Sequence, residues 1–276
     1  MKRSRYALPY QVWMALFIIV PIFIVLYYAC TTSNGASVSF SLENLAQVFS
    51  PTYLTVLVRS LWIALVATLI CLLIGYPVAS ILASRHFKRS SLILMLIIIP
   101  MWMNFLLRTY AWMTLLENNG LVNKFFGLFG LGPFEMINTQ GAVVLGMVYN
   151  YLPFMILPLY SVMVKIENSL IEAAADLGCS AVDTMRRVIL PLSMPGISTG
   201  IIMVFVPSVS TFVISRMLGG GSFMLIGDLI EMEFLGNAYN PNLGAAISTV
   251  LMLIILVSMA LTDLFRNSEE KEGLLL

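Results

Sequence analysis

Hydrophobic residues in this chain run in long stretches separated by short polar intervals. Six stretches approach or exceed the 20 or so residues that a helix needs to cross a bilayer. They are Gln11–Cys30, Ser60–Ala83, Leu92–Leu107 (extendable to Leu116), Gly141–Val164, Ile197–Ile214 and Leu243–Phe265. One long polar island interrupts them, Ser169–Ile197, reading SLIEAAADLGCSAVDTMRRVILPLSMPGI. Ser169 followed three residues later by Glu172 is a capping-box pair that can start a helix. Leu170, Ala173, Ala174 and Leu177 then share one face at three- and four-residue spacing, and Gly178 closes the turn. Ser180 and Asp183 open a second helix with Val182, Met185 and Ile189 on one side. Arg186 and Arg187 fall in its last turns, where cations favour the negative end of the dipole. Pro191, Pro195 and Gly196 are expected to end it and return the chain to apolar sequence. Helices this short are marginal alone in water and need a surface to lie on.

Composition fits that pattern. Of 276 residues, 59% are hydrophobic and 11% charged, against about 25% charged in soluble domains. A net charge of +1 argues against nucleic acid as a partner. Cys30, Cys71 and Cys179 lie far apart, which implies neither a disulfide nor a metal site. Lys2, Arg3 and Arg5 before the first apolar run could belong to a signal peptide, but the run is too long and lacks a small-x-small cleavage site, so a retained helix is expected. Basic residues then set the orientation. Lys2, Arg3, Arg5, Arg85, Lys88, Arg89, Lys165, Arg186, Arg187, Arg266 and Lys271 fall on one side, and only Arg59, Arg108, Lys124 and Arg216 on the other. The first side is cytoplasmic by this rule, with both termini and the island on it. The external segment from Thr31 to Val58 reads as a solvated connection. His86, the single histidine, sits in a basic cluster at a membrane edge and reads as a surface residue. Pro100, Pro153, Pro158 and Pro207 lie within spans, where neighbouring protein must re-satisfy the freed carbonyls. Asn104 and Asn150 at membrane depth read as helix–helix hydrogen-bonding groups or substrate contacts.

The E-A-A-x-x-x-G run, followed at fixed distance by L-P-x-x-x-P-G, resembles the signature loop of the membrane subunits of binding-protein-dependent ABC importers. It is carried by Glu172, Ala173, Ala174, Gly178, Pro191, Pro195 and Gly196. Cys179 stands where that family usually has alanine, and Met185 where it often has phenylalanine. The resemblance implies that the loop is a coupling element docked on a cytoplasmic ATPase. It also implies a homologous second permease subunit, two cytoplasmic ATPase subunits, an extracellular binding protein and surrounding membrane lipid. No G-x-x-x-x-G-K-[ST] run occurs, so the chain is expected to be no enzyme and to carry no cofactor, with ATP and Mg bound by the ATPase partner.

Three further stretches resemble the permease subunits of spermidine/putrescine importers. They are Pro100 to Trp112 (PMWMNFLLRTYAW), Tyr149 to Ser161 (YNYLPFMILPLYS), and Phe212 to Gly220 followed by Leu225-Ile-Gly227 and Phe234. The implied solute is a polyamine. Acid compatible with it is concentrated at Asp228, Glu231 and Glu233, beside Phe223, Ile226, Ile230 and Phe234 at helical spacing. Trp102 and Tyr110, with Trp112, could add aromatic faces for cation–π contact. Against this, rings at membrane edges commonly form the interfacial belt, and the acids could be a solvated face or a docking patch for the binding protein. The expected fold is all-α, a polytopic membrane protein of six transmembrane helices. It divides into 1–59 (first helix and external loop), 60–265 (transmembrane domain with the coupling loop at 165–196) and a cytoplasmic tail, 266–276. Two alternatives stand beside a polyamine permease in the plasma membrane. One is a permease for another small solute; the other is a secondary transporter, which would usually show repeated halves and midplane charges.

Overall fold

The computed structural model describes residues 8–34, 37–84, 89–221, 223–236 and 239–273; His86 and its basic neighbours Arg85 and Lys88 lie outside the described residues, as do Lys2, Arg3 and Arg5. Apart from one two-stranded hairpin, Thr31–Asn34 with Ser37–Phe40, the regular elements are helical. Five helices are long and apolar enough to cross a membrane: Pro9–Ala29, Pro51–Ala83, Gln140–Met163, Ala181–Ser210 and Pro241–Thr262. A sixth span is present if the bent pair Ser90–Trp102 and Phe105–Gly127 counts as one.

That pair corrects the expectation of a straight helix from Leu92. The chain bends by 94° between its halves. Pro100 falls in a short tight turn of helix, Met103 turns extended, and Asn104 starts a new helix as its N-cap, its Oδ1 accepting from the Leu106 N–H at 2.8 Å. Asn104 therefore satisfies its own backbone and does not bridge two helices. Asn150 likewise donates from Nδ2 to the Gly146 carbonyl of its own helix, at 2.9 Å.

Two compact units divide the chain, Met1–Val58 with Ile226–Leu256, and Arg59–Leu225 with Val257–Leu276. In the larger, Gln140–Met163 packs along Leu190–Ser210, and its core is built of large side chains against glycines. Met155 is fully buried, and a Cβ at Gly200 would stand 2.6 Å from its sulfur, one at Gly75 2.9 Å from its Cγ. Leu218 fills the space left by Gly146, and Gly196 lies over the Pro158 carbonyl and Leu159. Small residues let helix backbones approach where lipid gives no hydrophobic drive to association.

The smaller unit holds the segment read from sequence as a solvated connection, and it is more built than that. After the hairpin comes a short helix, Glu43–Val48, and Pro51 already opens the second span. Thr31 is buried, and its carbonyl accepts from Asn44 Nδ2 at 3.0 Å and from Asn242 Nδ2 at 2.6 Å. Asn242 also donates to the Tyr28 carbonyl at 3.0 Å. These bonds satisfy carbonyls orphaned at the C-terminal end of Pro9–Ala29 and fasten that end to the start of the last helix.

Candidate functional site

The polar island is an elbow of two helices followed directly by a span. Its first helix runs Asn168–Asp176, one residue earlier than the capping pair implied. Ser169 Oγ donates to the Glu167 carboxylate at 3.1 Å, so the Ser169–Glu172 box is not formed and Glu172 stays exposed. Gly178 closes the helix at φ +81°, with its N–H on the Ala175 carbonyl (2.9 Å) and the Cys179 N–H on Ala174 (3.0 Å). Two such crossed bonds around a left-handed glycine make a Schellman turn. Ser180 caps the second helix, its Oγ accepting from the Asp183 N–H at 3.2 Å.

That second helix does not stop at the prolines. It passes through a wider turn at Met185–Ile189 and continues to Ser210 as one helix of 30 residues. The wider turn lies just before Pro191, whose ring admits no amide to the ladder. Pro191 stands in the first turn after it, and Pro195 within the helix. Gly196 is a packing position against Pro158, not a chain reversal. The prolines thus shape a continuous rod.

Apolar side chains on the elbow divide between two environments. Ala174 is buried, whereas Leu177 is 85% and Val182 66% exposed, with Leu170 and Ala173 exposed as well. Behind the elbow Glu172, Asn168, Ser80, Ser84 and Ile189 line a cavity of about 370 Å³. Tyr76 ties the elbow to the second span, its hydroxyl 3.1 Å from Ser193 Oγ and 3.7 Å from Met185 Sδ. Sequence reading missed Tyr76; Gly75-Tyr76-Pro77 within an apolar run was its only signal.

The acidic stretch forms helix Ile226–Leu235 in the smaller unit, and its acids are not a solvated face. Asp228 and Glu233 are buried, at 6% and 7% exposure, and Glu231 is half-buried. Burial pushes the Glu233 carboxyl above the usual glutamate range because the charged form loses solvation. Tyr53 lies within electrostatic range of Glu233. Trp102 and Tyr110 belong to the larger unit and are 86% and 51% exposed. Trp112 meets Tyr149 edge to face, with centroids 5.3 Å apart.

A family profile described as "Binding-protein-dependent transport system inner membrane component" matches residues 72–269. The chain belongs to that family. It is a multi-pass inner membrane permease of the ABC importer class, a transport component rather than an enzyme. Similar curated proteins include the "Spermidine/putrescine transport system permease protein PotB" of Haemophilus influenzae, 39% identical over 94% of each chain. The protein of the same description from Escherichia coli K12 is 39% identical over 88% of this chain and 90% of its own. The "Inner membrane ABC transporter permease protein YdcU" of E. coli K12 is 28% identical over 80% of this chain and 74% of its own. Among solved structures, a chain of a bacterial ABC transporter importing the acidic polysaccharide alginate matches with TM-score 0.72 at 16% identity, over 94% of both chains. A chain from the alginate transporter in complex with its alginate-loaded periplasmic protein gives 0.73 at 15% identity, over 94% of this chain and 91% of its own. These structures share the fold with this chain.

Proposed function

We propose that the chain is the permease subunit of an ATP-driven importer that moves spermidine and putrescine inward. The observation that carries this reading is the near full-length similarity, 39% identity over 94% of both chains, to a spermidine/putrescine permease. In the working assembly it pairs with a homologous second permease. Two cytoplasmic ATPases receive the elbows, an extracellular binding protein delivers the polyamine, and both termini are cytoplasmic. Glu172, Ala173, Ala174 and Gly178 form the docking element, while Pro191, Pro195 and Gly196 carry its motion into the membrane. The exposed Leu177 and Val182 support this assignment, because apolar side chains on a polar elbow mark a surface that a partner covers.

ATP hydrolysis in the partners closes them together, displaces the elbows, and turns the paired bundles from outward- to inward-open. The test is uptake of labelled spermidine and putrescine into vesicles bearing the reconstituted assembly. The expected result is accumulation that needs both the binding protein and ATP. Uptake of neither polyamine overturns the substrate assignment, and uptake indifferent to ATP points to a secondary transporter.

A further inference from the structure

The smaller unit has a charge inventory of one sign. Its described residues, 8–58 and 226–256, contain Glu43, Asp228, Glu231 and Glu233 and no Lys, Arg or His. The unit's basic residues, Lys2, Arg3 and Arg5, precede the first span in sequence, and its 21 residues separate them from Thr31 by about 30 Å of helix. Glu233 lies toward the Thr31 end. Asn242 bonds the Tyr28 and Thr31 carbonyls. Gly244, two residues on, lies under Glu233 and Phe234, where a Cβ would stand 3.1 Å from Glu233 Cβ and 3.0 Å from the Phe234 ring.

Asp228 and Glu231 have interactions of their own. Glu233 differs. It is more than nine-tenths buried, and among the described residues of its unit no hydrogen bond or ion pair reaches its carboxylate. The nearby titratable group is Tyr53, a phenol that can donate a hydrogen bond but brings no positive charge. Helix Pro241–Gly273 supplies none within the unit, since residues 241–256 hold no titratable side chain. A buried carboxylate needs a cation or a proton.

From this we propose that Glu233 is the acceptor for one ammonium group of the transported polyamine, with Tyr53 beside it. The inference rests on the polyamine reading above. That the Thr31 end of the first span is external, as the distribution of Lys and Arg implies, suits a residue that meets the solute on entry. An ammonium group supplies both the hydrogen-bond donors and the compensating charge that the unit lacks. Glu233 then sets affinity at the mouth, and the coupling elbow sets turnover.

The assembly reconstituted with its partner permease, ATPases and binding protein tests this through putrescine uptake by Glu233→Gln and Glu233→Asp variants. Loss of a charged hydrogen bond is expected to raise the KM for putrescine by about tenfold in Glu233→Gln. In Glu233→Asp, which keeps the charge one methylene further back, the rise is smaller. Maximal uptake and ATPase activity without substrate stay near wild type. Unchanged KM in the variants that assemble overturns the proposal while the polyamine function stands. So does lost co-purification with the partner permease or binding protein at normal KM, which would assign Glu233 to a protein interface. Failure of both variants to assemble assigns it to packing and also overturns the proposal. Wild-type vesicles that take up neither polyamine would remove the polyamine reading itself, and this inference with it.

Discussion

The elbow at Asn168–Thr184 and the acidic helix Ile226–Leu235 are both short helices that carry acids and alternate apolar with polar positions, yet they resolve their polarity in opposite ways. On the elbow the acids Glu172 and Asp176 face solvent and the large apolar residues Leu177 and Val182 are left outside. In the acidic helix the apolar Ile226 is enclosed, and Asp228 and Glu233 are enclosed with it. An exposed leucine on a polar element asks for a protein surface, and an enclosed carboxylate asks for charge. Similar patterns thus point to different kinds of partner, and burial tells them apart.

The comparison breaks first at the elbow. Gly178→Leu places a side chain at φ +81°, where nothing stands within 4 Å of a Cβ, so the penalty is backbone strain of roughly 1–2 kcal/mol. The variant is expected to insert normally and to lose uptake altogether, as membrane fractionation beside transport assays will show; normal uptake contradicts a coupling role. Next in size, Leu177→Asp with Val182→Asp removes the exposed apolar patch without touching the core. It is expected to abolish co-purification with the ATPase while leaving pairing with the second permease intact.

A smaller effect is expected where the elbow joins the bundle. Tyr76→Phe deletes the hydroxyl shared with Ser193, a loss of about 1 kcal/mol, readable as a lower melting temperature in detergent with reduced coupling of ATP hydrolysis to uptake. The smallest expected effect belongs to the acidic helix. Because burial raises the Glu233 carboxyl above 4.5, the native state holds its proton at pH values where the unfolded chain has released it. Stability without polyamine should therefore fall as pH rises from 4.5 through that raised value. Glu233→Gln should flatten this slope, and saturating putrescine should reduce it in the wild type.

Much of the fold was legible because apolar runs of span length have few alternatives in an oily chain. Gly178 was legible for the same kind of reason, since few other residues take its backbone angle. Proline at positions 191 and 195 misled, because a helix breaker in isolation becomes a helix component once a wide turn precedes it and a packed neighbour supports it. Met103 and Asn104 hid a 94° bend, because local preference for a cap carries no sign in an apolar run. The hairpin and the Thr31–Asn44–Asn242 bonds depend on contacts between residues more than 200 positions apart, which no local pattern reports. The burial of Glu233 was invisible for that reason too, as it depends on Gly244 lying beneath it.

The uninterrupted run from Ala181 to Ser210 has a mechanical consequence. At 1.5 Å per residue, 30 residues of helix make a shaft of about 45 Å, long enough to reach from one water phase to the other. A push or twist delivered at Ser180 reaches Thr211, where the backbone turns extended, with no slack joint between. The stroke at one face and the response at the other are then a single displacement, and the place to look for give is the wide turn at Met185–Ile189.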